Sequence, residues 1–155
     1  MIGAIIGDVI GSFYEGKIKK AKSKNFELFT PYSICTDDTI MTIAVGQALV
    51  NTYQEKEILI IQKELIKEMQ KFGQIYPYSR YGKQFSHWLR EENPKPYNSF
   101  GNGSGMRVSS VAWLYDNLED VNKYAEITAS VSHNHPEGIK GACAVASAIY
   151  LASHK

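Results

Sequence analysis

Hydrophobic residues recur at helical spacing along most of the chain. In residues 55–74, Ile61, Leu65 and Met69 fall on one face with lysines and glutamates between them, which predicts an amphipathic surface helix. In residues 40–50 nearly every position is apolar, which predicts a helix that is buried on all sides. No stretch of any length alternates apolar and polar residues as a half-buried strand does. The pattern therefore predicts an all-α fold.

The remaining segments divide into helices and loops by the same criterion. Further helices are predicted over residues 2–14, 79–92, 108–115 and 118–132, and from Pro136 onward. The intervening loops are a lysine-rich one at 16–34 and one rich in proline, asparagine and glycine at 93–105. We expect about six helices, with functional residues at helix starts and in loops.

Size and composition indicate a single globular domain covering residues 1–155. Hydrophobic residues make up 44% of the chain and charged residues 21%. The formal net charge of +1 gives no electrostatic case for nucleic acid or an acidic membrane surface. The apolar start lacks a basic leader, and no segment reaches the length of a membrane span. With Cys35 and Cys143 far apart, we expect reduced thiols in a cytoplasmic protein that has no membrane partner.

Two adjacent acids stand at the start of the buried helix. Thr36 or Asp37 can serve as its N-cap. One carboxylate at a helix start is ordinary, but Asp37 and Asp38 together repel each other unless a cation or hydrogen bonds satisfy them. Paired carboxylates beside a hydroxyl suit Mg²⁺ or Ca²⁺. The alternative is a solvated helix cap with a spare acid.

The first predicted helix carries both a glycine stripe and two acids. Gly3, Gly7 and Gly11 share one face, which favours the close approach of another backbone or a ligand. Asp8 and Glu15 lie seven residues apart, two turns along one face. Asp8 is either functional or a buried acid that caps a neighbouring helix. Glu15 is either functional or an exposed helix end.

Two later segments could hold an anion or a base. Residues 101–105 contain three glycines before a predicted helix, and exposed amides there can cradle a phosphate, although this is not a Walker loop. Arg107 would then pair with phosphate or with a structural carboxylate. His133 and His135, ahead of a helix that begins with Pro136, could bind a metal, a base or a phosphate, or form a cap region.

Taken together, four segments resemble the ADP-ribosylglycohydrolase family. In the order of the family they are residues 3–15 (Gly-Ala-Ile-Ile-Gly-Asp running to Ser-Phe-Tyr-Glu), 36–42 (Thr-Asp-Asp-Thr-Ile-Met-Thr), 101–107 (Gly-Asn-Gly-Ser-Gly-Met-Arg) and 133–138 (His-Asn-His-Pro-Glu-Gly). Each segment is a weak signal alone, whereas the ordered set is highly specific. The resemblance implies an all-α helical domain with a binuclear Mg²⁺ site in a cleft.

The resemblance also implies roles for individual residues. Thr36, Asp37 and Asp38 match metal ligands, Glu15 with Asp37 and Asp38 matches the catalytic acids, and Asp8 would support the ligands from behind. The implied substrate is ADP-ribose joined to a protein side chain or related acceptor, with cleavage of the glycosidic bond. The residues that match the ADP-ribose-binding part are Gly101, Asn102, Gly103, Ser104, Gly105, Met106, His133 and His135.

One part of the family pattern is missing. The family has a second metal motif, Asp-x-Asp-Thr/Ser, late in the chain, and none of the five aspartates here forms it. We therefore expect a C-terminally truncated member of the fold. Its exposed apolar faces would be covered by a homodimer contact, or a partner segment would complete it. The alternative function is a non-catalytic module that binds ADP-ribose or a nucleotide, or an inactive fragment that needs a partner chain.

Overall fold

Eight helices form the regular secondary structure of the computed structural model, which describes residues 1–15 and 20–154. In chain order they are α1 (Ile2–Gly11), α2 (Asp37–Asn51), α3 (Ile58–Ile75), α4 (Lys83–Trp88), α5 (Gly103–Met106), α6 (Val111–Leu114), α7 (Leu118–Ser130) and α8 (Pro136–Ser153). The described residues contain no strand, which confirms the predicted all-α fold. Of the predicted loop at 16–34, residues 16–19 lie outside the described residues. No helix in the described part of the chain is both long and apolar enough to cross a bilayer.

Helix α2 lies at the centre of the core. Met41, Ala44 and Val45 are fully buried. Buried residues occur on nearly every face of α2, which confirms the prediction that this helix is buried. Helix α3 packs against α2 through one apolar stripe that includes Leu65 and Met69, while its lysines point outward. Helices α7 and α8 pack against each other and close the core from the other side.

Several predicted helices are shorter in the structure. Within 79–92 only α4 is helical, because Arg80 has a left-handed backbone (φ 63°) that cannot continue a helix, and Gly82 is the N-cap. Helix α1 ends at Gly11, three residues early, where the Ser12 hydroxyl donates to the Val9 carbonyl at 2.8 Å and the chain turns.

Residues 101–106, which we call the glycine segment, differ from the predicted loop that precedes a single helix. Gly103, Ser104, Gly105 and Met106 themselves form the single turn α5, and a second single turn, α6, follows. The Ser104 hydroxyl donates to the Gly138 carbonyl at 2.8 Å, which fixes α5 on the start of α8. Of the helices in the described residues, only the turn α5 has no counterpart among the predicted helices, because α6 lies within the helix predicted over residues 108–115.

The glycine stripe of α1 does not contact a close neighbour in the described chain. No atom there lies within 4 Å of the position that a Cβ would take at Gly3, Gly7 or Gly11. Gly7 lines a cavity instead. Of the two alternatives for this stripe, another backbone or a ligand, the described residues do not supply the first. Helix α1 is instead bonded to α2 through the side chain of Asp8.

Candidate functional site

The carboxylate of Asp8, on α1, holds the first turn of α2. Its Oδ2 accepts hydrogen bonds from the backbone N–H groups of Thr36 at 2.8 Å and Thr39 at 3.1 Å, and the hydroxyls of both threonines also donate to this carboxylate. Thr36 is the N-cap of α2, yet its own side chain makes no capping bond. The prediction that the side chain of Thr36 or Asp37 caps α2 is therefore wrong. Asp8 is instead the buried acid that caps a neighbouring helix, one of the two alternatives given for it.

Three carboxylates meet beside this helix start. Oxygens of Asp8, Glu15 and Asp38 lie within 4.8 Å of one another, and we call these three residues the acid cluster. Glu15 borders the same cavity as Asp38 and Asp8, which is where a functional Glu15 was expected. Arg80 Nη1 lies 3.8 Å from Glu15 Oε2 and donates to the Ser12 carbonyl at 2.9 Å. Three carboxylates with one ion-paired arginine among the described residues form a site that suits a cation.

Asp37 and Asp38 are adjacent in sequence but line different cavities. Asp38 belongs to the acid cluster, whereas Asp37 lies outside it and lines a second cavity. Thr36 is fully buried, and its hydroxyl proton goes to Asp8. The structure therefore brings Asp38 together with Asp8 and Glu15. Thr36 adjoins this acid cluster through its hydrogen bond to Asp8, whereas Asp37 lies outside it.

The electrostatics of these acids favour a positively charged neighbour. Burial, followed by the charge of Asp38, raises the pKa of Asp37 to about 6. Burial, followed by the charges of Asp8 and Glu15, raises the pKa of Asp38 above its ordinary value. Because the ionised forms are disfavoured, a divalent cation would relieve their repulsion. Carboxylate oxygens are the ligands that Mg²⁺ and Ca²⁺ prefer, so the donor set fits a hard cation.

A cavity of about 590 Å³ lies between α1 and the pair formed by α5 and α8. The acid cluster forms part of its lining. The lining also includes five of the residues predicted to bind ADP-ribose: Gly101, Asn102, Ser104, Gly105 and Met106. The acid cluster and most of the predicted nucleotide-binding segment therefore line the same cavity.

A smaller cavity of about 270 Å³ adjoins the first. Asp37, Gly103, Arg107 and His133 are among the residues that line it. The two cavities share part of their wall in the glycine segment, namely Gly101, Asn102 and Met106. A ligand longer than one cavity can therefore contact both by lying along this segment.

At Gly103 and Gly138, another part of the chain lies so close that a larger residue would collide with it. A Cβ at Gly103 would lie 2.7 Å from His133 Nε2, and a Cβ at Gly138 would lie 2.7 Å from the Ser99 carbonyl oxygen. The His133 ring is buried, and burial, followed by the charge of Arg107, lowers its pKa to about 4. The imidazole that abuts the glycine segment is therefore neutral at neutral pH.

His135 lies at the rim. Its Nδ1 accepts from the Glu137 N–H at 3.1 Å, so it serves as the N-cap of α8. Its ring contacts Phe100 edge-on, with 5.5 Å between centroids. In the described chain His135 lines neither of the two cavities, which supports the cap interpretation left open for it. Phe100, 75% exposed, does line the larger cavity, and sequence reasoning missed it although it adjoins the glycines.

Arg107 does not pair with a structural carboxylate in the described part of the chain. It is fully buried, and its Nη2 donates to the Thr128 carbonyl at 3.1 Å and to the Ser132 hydroxyl at 2.7 Å. The structural ion pair expected for it is therefore wrong. Its guanidinium lies 5.5 Å from the ring centroid of Phe85, an aromatic contact that the sequence did not reveal.

Comparison with known proteins supports the interpretation of these segments. The family model for ADP-ribosylglycohydrolase matches residues 1–155. The chain is 30% identical to ADP-ribosylhydrolase ARH3 of Homo sapiens, over 98% of this chain and 48% of that protein. It is 29% identical to ADP-ribosylhydrolase ARH3 of Mus musculus, over 98% of this chain and 47% of that protein. The chain therefore spans about half the length of the curated relatives that it matches.

Proposed function

We propose, from the premise that the chain belongs to the ADP-ribosylglycohydrolase family, that it hydrolyses the glycosidic bond between ADP-ribose and a protein side chain or related acceptor. The observation that carries this proposal is that the acid cluster and residues of the glycine segment line one cavity. Positive charge builds on the ribose ring as such a bond breaks, and nearby carboxylates stabilise that charge.

The proposed cofactor is Mg²⁺, with Thr36, Asp37 and Asp38 as ligands. The fit of the donor set supports a hard cation at Asp38, beside Glu15 and Asp8. Asp8 Oδ2 already accepts three hydrogen bonds while Oδ1 accepts one, so Oδ1 keeps a lone pair that can face a cation. When bound, Mg²⁺ would orient ribose hydroxyls and lower the pKa of a water.

Glu15, with Asp37 and Asp38, is proposed to act as a catalytic carboxylate. Its side chain is 51% exposed and borders the larger cavity, so a substrate can reach it. An ionised Glu15 there can stabilise charge on the ribose ring or accept a proton from an attacking water. Arg80, at 3.8 Å, weakens its repulsion with the other two members of the acid cluster.

The ADP-ribose is proposed to lie along the glycine segment and the start of α8. The residues proposed to contact it are Gly101, Asn102, Gly103, Ser104, Gly105, Met106, His133 and His135. The small side chains of this segment, and the adjoining cavities of about 590 and 270 Å³, support a long ligand in this position. Ser104 would act mainly through its backbone, because its hydroxyl is already bonded to the Gly138 carbonyl.

Release of ADP-ribose from a modified peptide, with Mg²⁺ or with a chelator, tests this function. We expect Glu15→Gln and Asp38→Asn each to lower the rate by at least about 100-fold, as for the loss of an acid or base catalyst. Asp116→Asn removes an exposed acid outside both cavities and serves as the matched control. Equal rates in all three variants, or full activity in chelator, would contradict the proposal.

Binding without hydrolysis is the second candidate. It is favoured by the glycine segment, which borders both cavities and can hold a ligand without a bound metal. Calorimetry with ADP-ribose would then show binding while the peptide assay shows no release. Activity that appears only when a partner chain is added would identify an inactive fragment.

The proposed partners are an ADP-ribosylated substrate and either a second copy of the chain or a segment that carries the missing motif. Both helices beside the larger cavity expose apolar side chains, among them Ile2 and Ile6 on α1 and Val145 on α8, which supports a protein contact there. A cytoplasmic location remains a prediction. Cys35 and Cys143 are unpaired, as that prediction requires.

A further inference from the structure

Arg107 is an unusual buried cation, because its bonds go to neutral groups. Nη2 carries two hydrogens, and both are used: one goes to the Thr128 carbonyl at 3.1 Å and one to the Ser132 hydroxyl at 2.7 Å. Nε and Nη1 have no hydrogen-bond partner among the described residues, and the ring of Phe85 lies 5.5 Å away. Of the two hydrogen bonds, the one to the Ser132 hydroxyl is the shorter, and Ser132 in turn contacts His133.

Counting hydrogens fixes the direction of the next bond. A guanidinium only donates, so Ser132 Oγ accepts from Arg107 and keeps its single hydrogen for another acceptor. The remaining contact of Ser132 Oγ in the described chain is His133 Nδ1, at 2.9 Å. The arrangement that uses every hydrogen has Ser132 donate to Nδ1, which is then the unprotonated nitrogen of the ring.

The proton of the neutral imidazole then resides on Nε2. This atom faces the glycine segment: it would lie 2.7 Å from a Cβ at Gly103 and 4.0 Å from one at Gly101. His133 lines the smaller cavity, and its Nε2 has no hydrogen-bond partner in the described residues. The result is a neutral N–H donor held at the wall of that cavity.

We propose that Arg107 and Ser132 are positioning residues, which hold His133 in the Nε2–H tautomer so that it donates to an acceptor atom of the ligand beside Gly103. The functional consequence rests on the proposed function, since the ligand is taken to be ADP-ribose. A fixed donor selects an oxygen or nitrogen that carries a lone pair, such as a phosphate or ribose oxygen, and disfavours a ligand that presents its own N–H there.

The hydrogen-bond chain has a direct spectroscopic signature. Nitrogen-15 shifts of His133, assigned by comparison with His133→Gln in the ligand-free protein, report which ring nitrogen carries the proton. We expect a protonated Nε2 and an unprotonated Nδ1 in the wild type. A protonated Nδ1 in the wild type would overturn the inference without the use of any variant.

Variants then test the role of Ser132. Ser132→Ala should allow the Nδ1–H tautomer to appear and weaken ADP-ribose binding by about fivefold, the effect of one hydrogen bond. Ser132→Thr, which keeps the hydroxyl, should retain the wild-type tautomer. Thr128→Val is the control, since its buried hydroxyl bonds to the Ala125 carbonyl and lies outside the chain of bonds, while its carbonyl remains for Arg107.

The two proposals fail in different ways. If Ser132→Ala keeps the wild-type tautomer, or Thr128→Val changes it as much, the inference is overturned whatever the protein binds. If the wild type fails to bind ADP-ribose, the proposed function fails, and the tautomers of the two serine variants still decide whether Arg107 and Ser132 position His133.

Discussion

Two carboxylates at the start of α2, those of Asp37 and Asp38, lie where their ionised forms are disfavoured. Asp37 and Asp38 are partly buried and repel each other, and Asp8 and Glu15 add to that repulsion. Because the pKa of Asp37 is raised to about 6, its proton is bound more tightly in the folded chain than in the unfolded one. This position therefore connects the proposed cation site to stability.

The first prediction concerns pH. Without divalent cations, the contribution of Asp37 to folding stability is fully present below its ordinary pKa of 3.8 and is lost as the pH rises to about 6. Wild type should therefore lose stability relative to Asp37→Asn over that range. Urea unfolding in chelator at several pH values measures this difference. Asp116→Asn should follow the wild type, and a difference between wild type and Asp37→Asn that does not change with pH would contradict the assignment.

Gly103 gives a second prediction at this scale. A Cβ there would lie 2.7 Å from His133 Nε2 and 3.0 Å from Cε1 of a buried ring. Gly103→Ala should therefore displace the imidazole and cost about 1–3 kcal/mol in unfolding free energy, as overpacking does. Gly82→Ala is the matched control, because it lines the same cavity and no described atom lies within 4 Å of its added Cβ. Equal stability of the two variants would show that His133 moves aside freely.

The side chain of Asp8 on α1 is hydrogen-bonded to the start of α2. Asp8 supplies the acceptors for two backbone N–H groups and two hydroxyls at the first turn of α2. The same bonds place Asp38 next to Asp8 and Glu15. Stability of the helix start and assembly of the acid cluster therefore depend on the same residue.

A third prediction follows for these two helices. Asp8→Ala leaves the N–H groups of Thr36 and Thr39 buried without an acceptor, so we expect a loss of roughly 2–4 kcal/mol in unfolding free energy. Chemical denaturation gives the value directly. Asp8→Asn, which keeps one carbonyl acceptor, should lose less. A loss as small as that of the exposed variant Asp116→Asn would mean that α2 does not depend on this cap.

On the scale of the whole molecule, the two long helices beside the larger cavity, α1 and α8, carry exposed apolar side chains. Ile2 and Ile6 on α1 are 72% and 45% exposed, and Val145 and Leu151 on α8 are 40% and 56% exposed. The glycine stripe of α1 adds a smooth face with no described atom close to it. Monomeric proteins rarely leave extended patches of this kind uncovered.

The fourth prediction is therefore self-association. We expect a symmetric dimer that buries these faces over more than about 1,000 Å² in total. Light scattering on the purified chain over a range of concentrations measures it. Ile6→Lys on α1 should weaken the dimer, whereas Lys67→Glu on the outer face of α3 should not. A monomer at high concentration with sharp, cooperative unfolding would show that these helices form a closed core alone.

Much of the fold can be predicted from adjacent residues. Apolar spacing in 55–74 and the nearly continuous apolar run in 40–50 identify α3 and the buried α2, because each helix buries the face that its own local pattern defines. The four ordered segments likewise identify the family, since their residues lie next to each other in sequence. Helix ends were less predictable, as the left-handed backbone of Arg80 shows.

The composition of the site, by contrast, was decided by packing between distant parts of the chain. Asp8 reaches the first turn of α2 across 28 residues, and this contact replaces a local cap and brings Asp38 to Glu15. Arg107 reaches Ser132 across 25 residues, a contact that the local segments around these two residues do not indicate. Local patterns determine which face of a helix is apolar, but they do not fix how two helices are placed relative to each other. Only the tertiary structure brings these groups within bonding distance, because hydrogen bonds and charge repulsion act over a few ångströms.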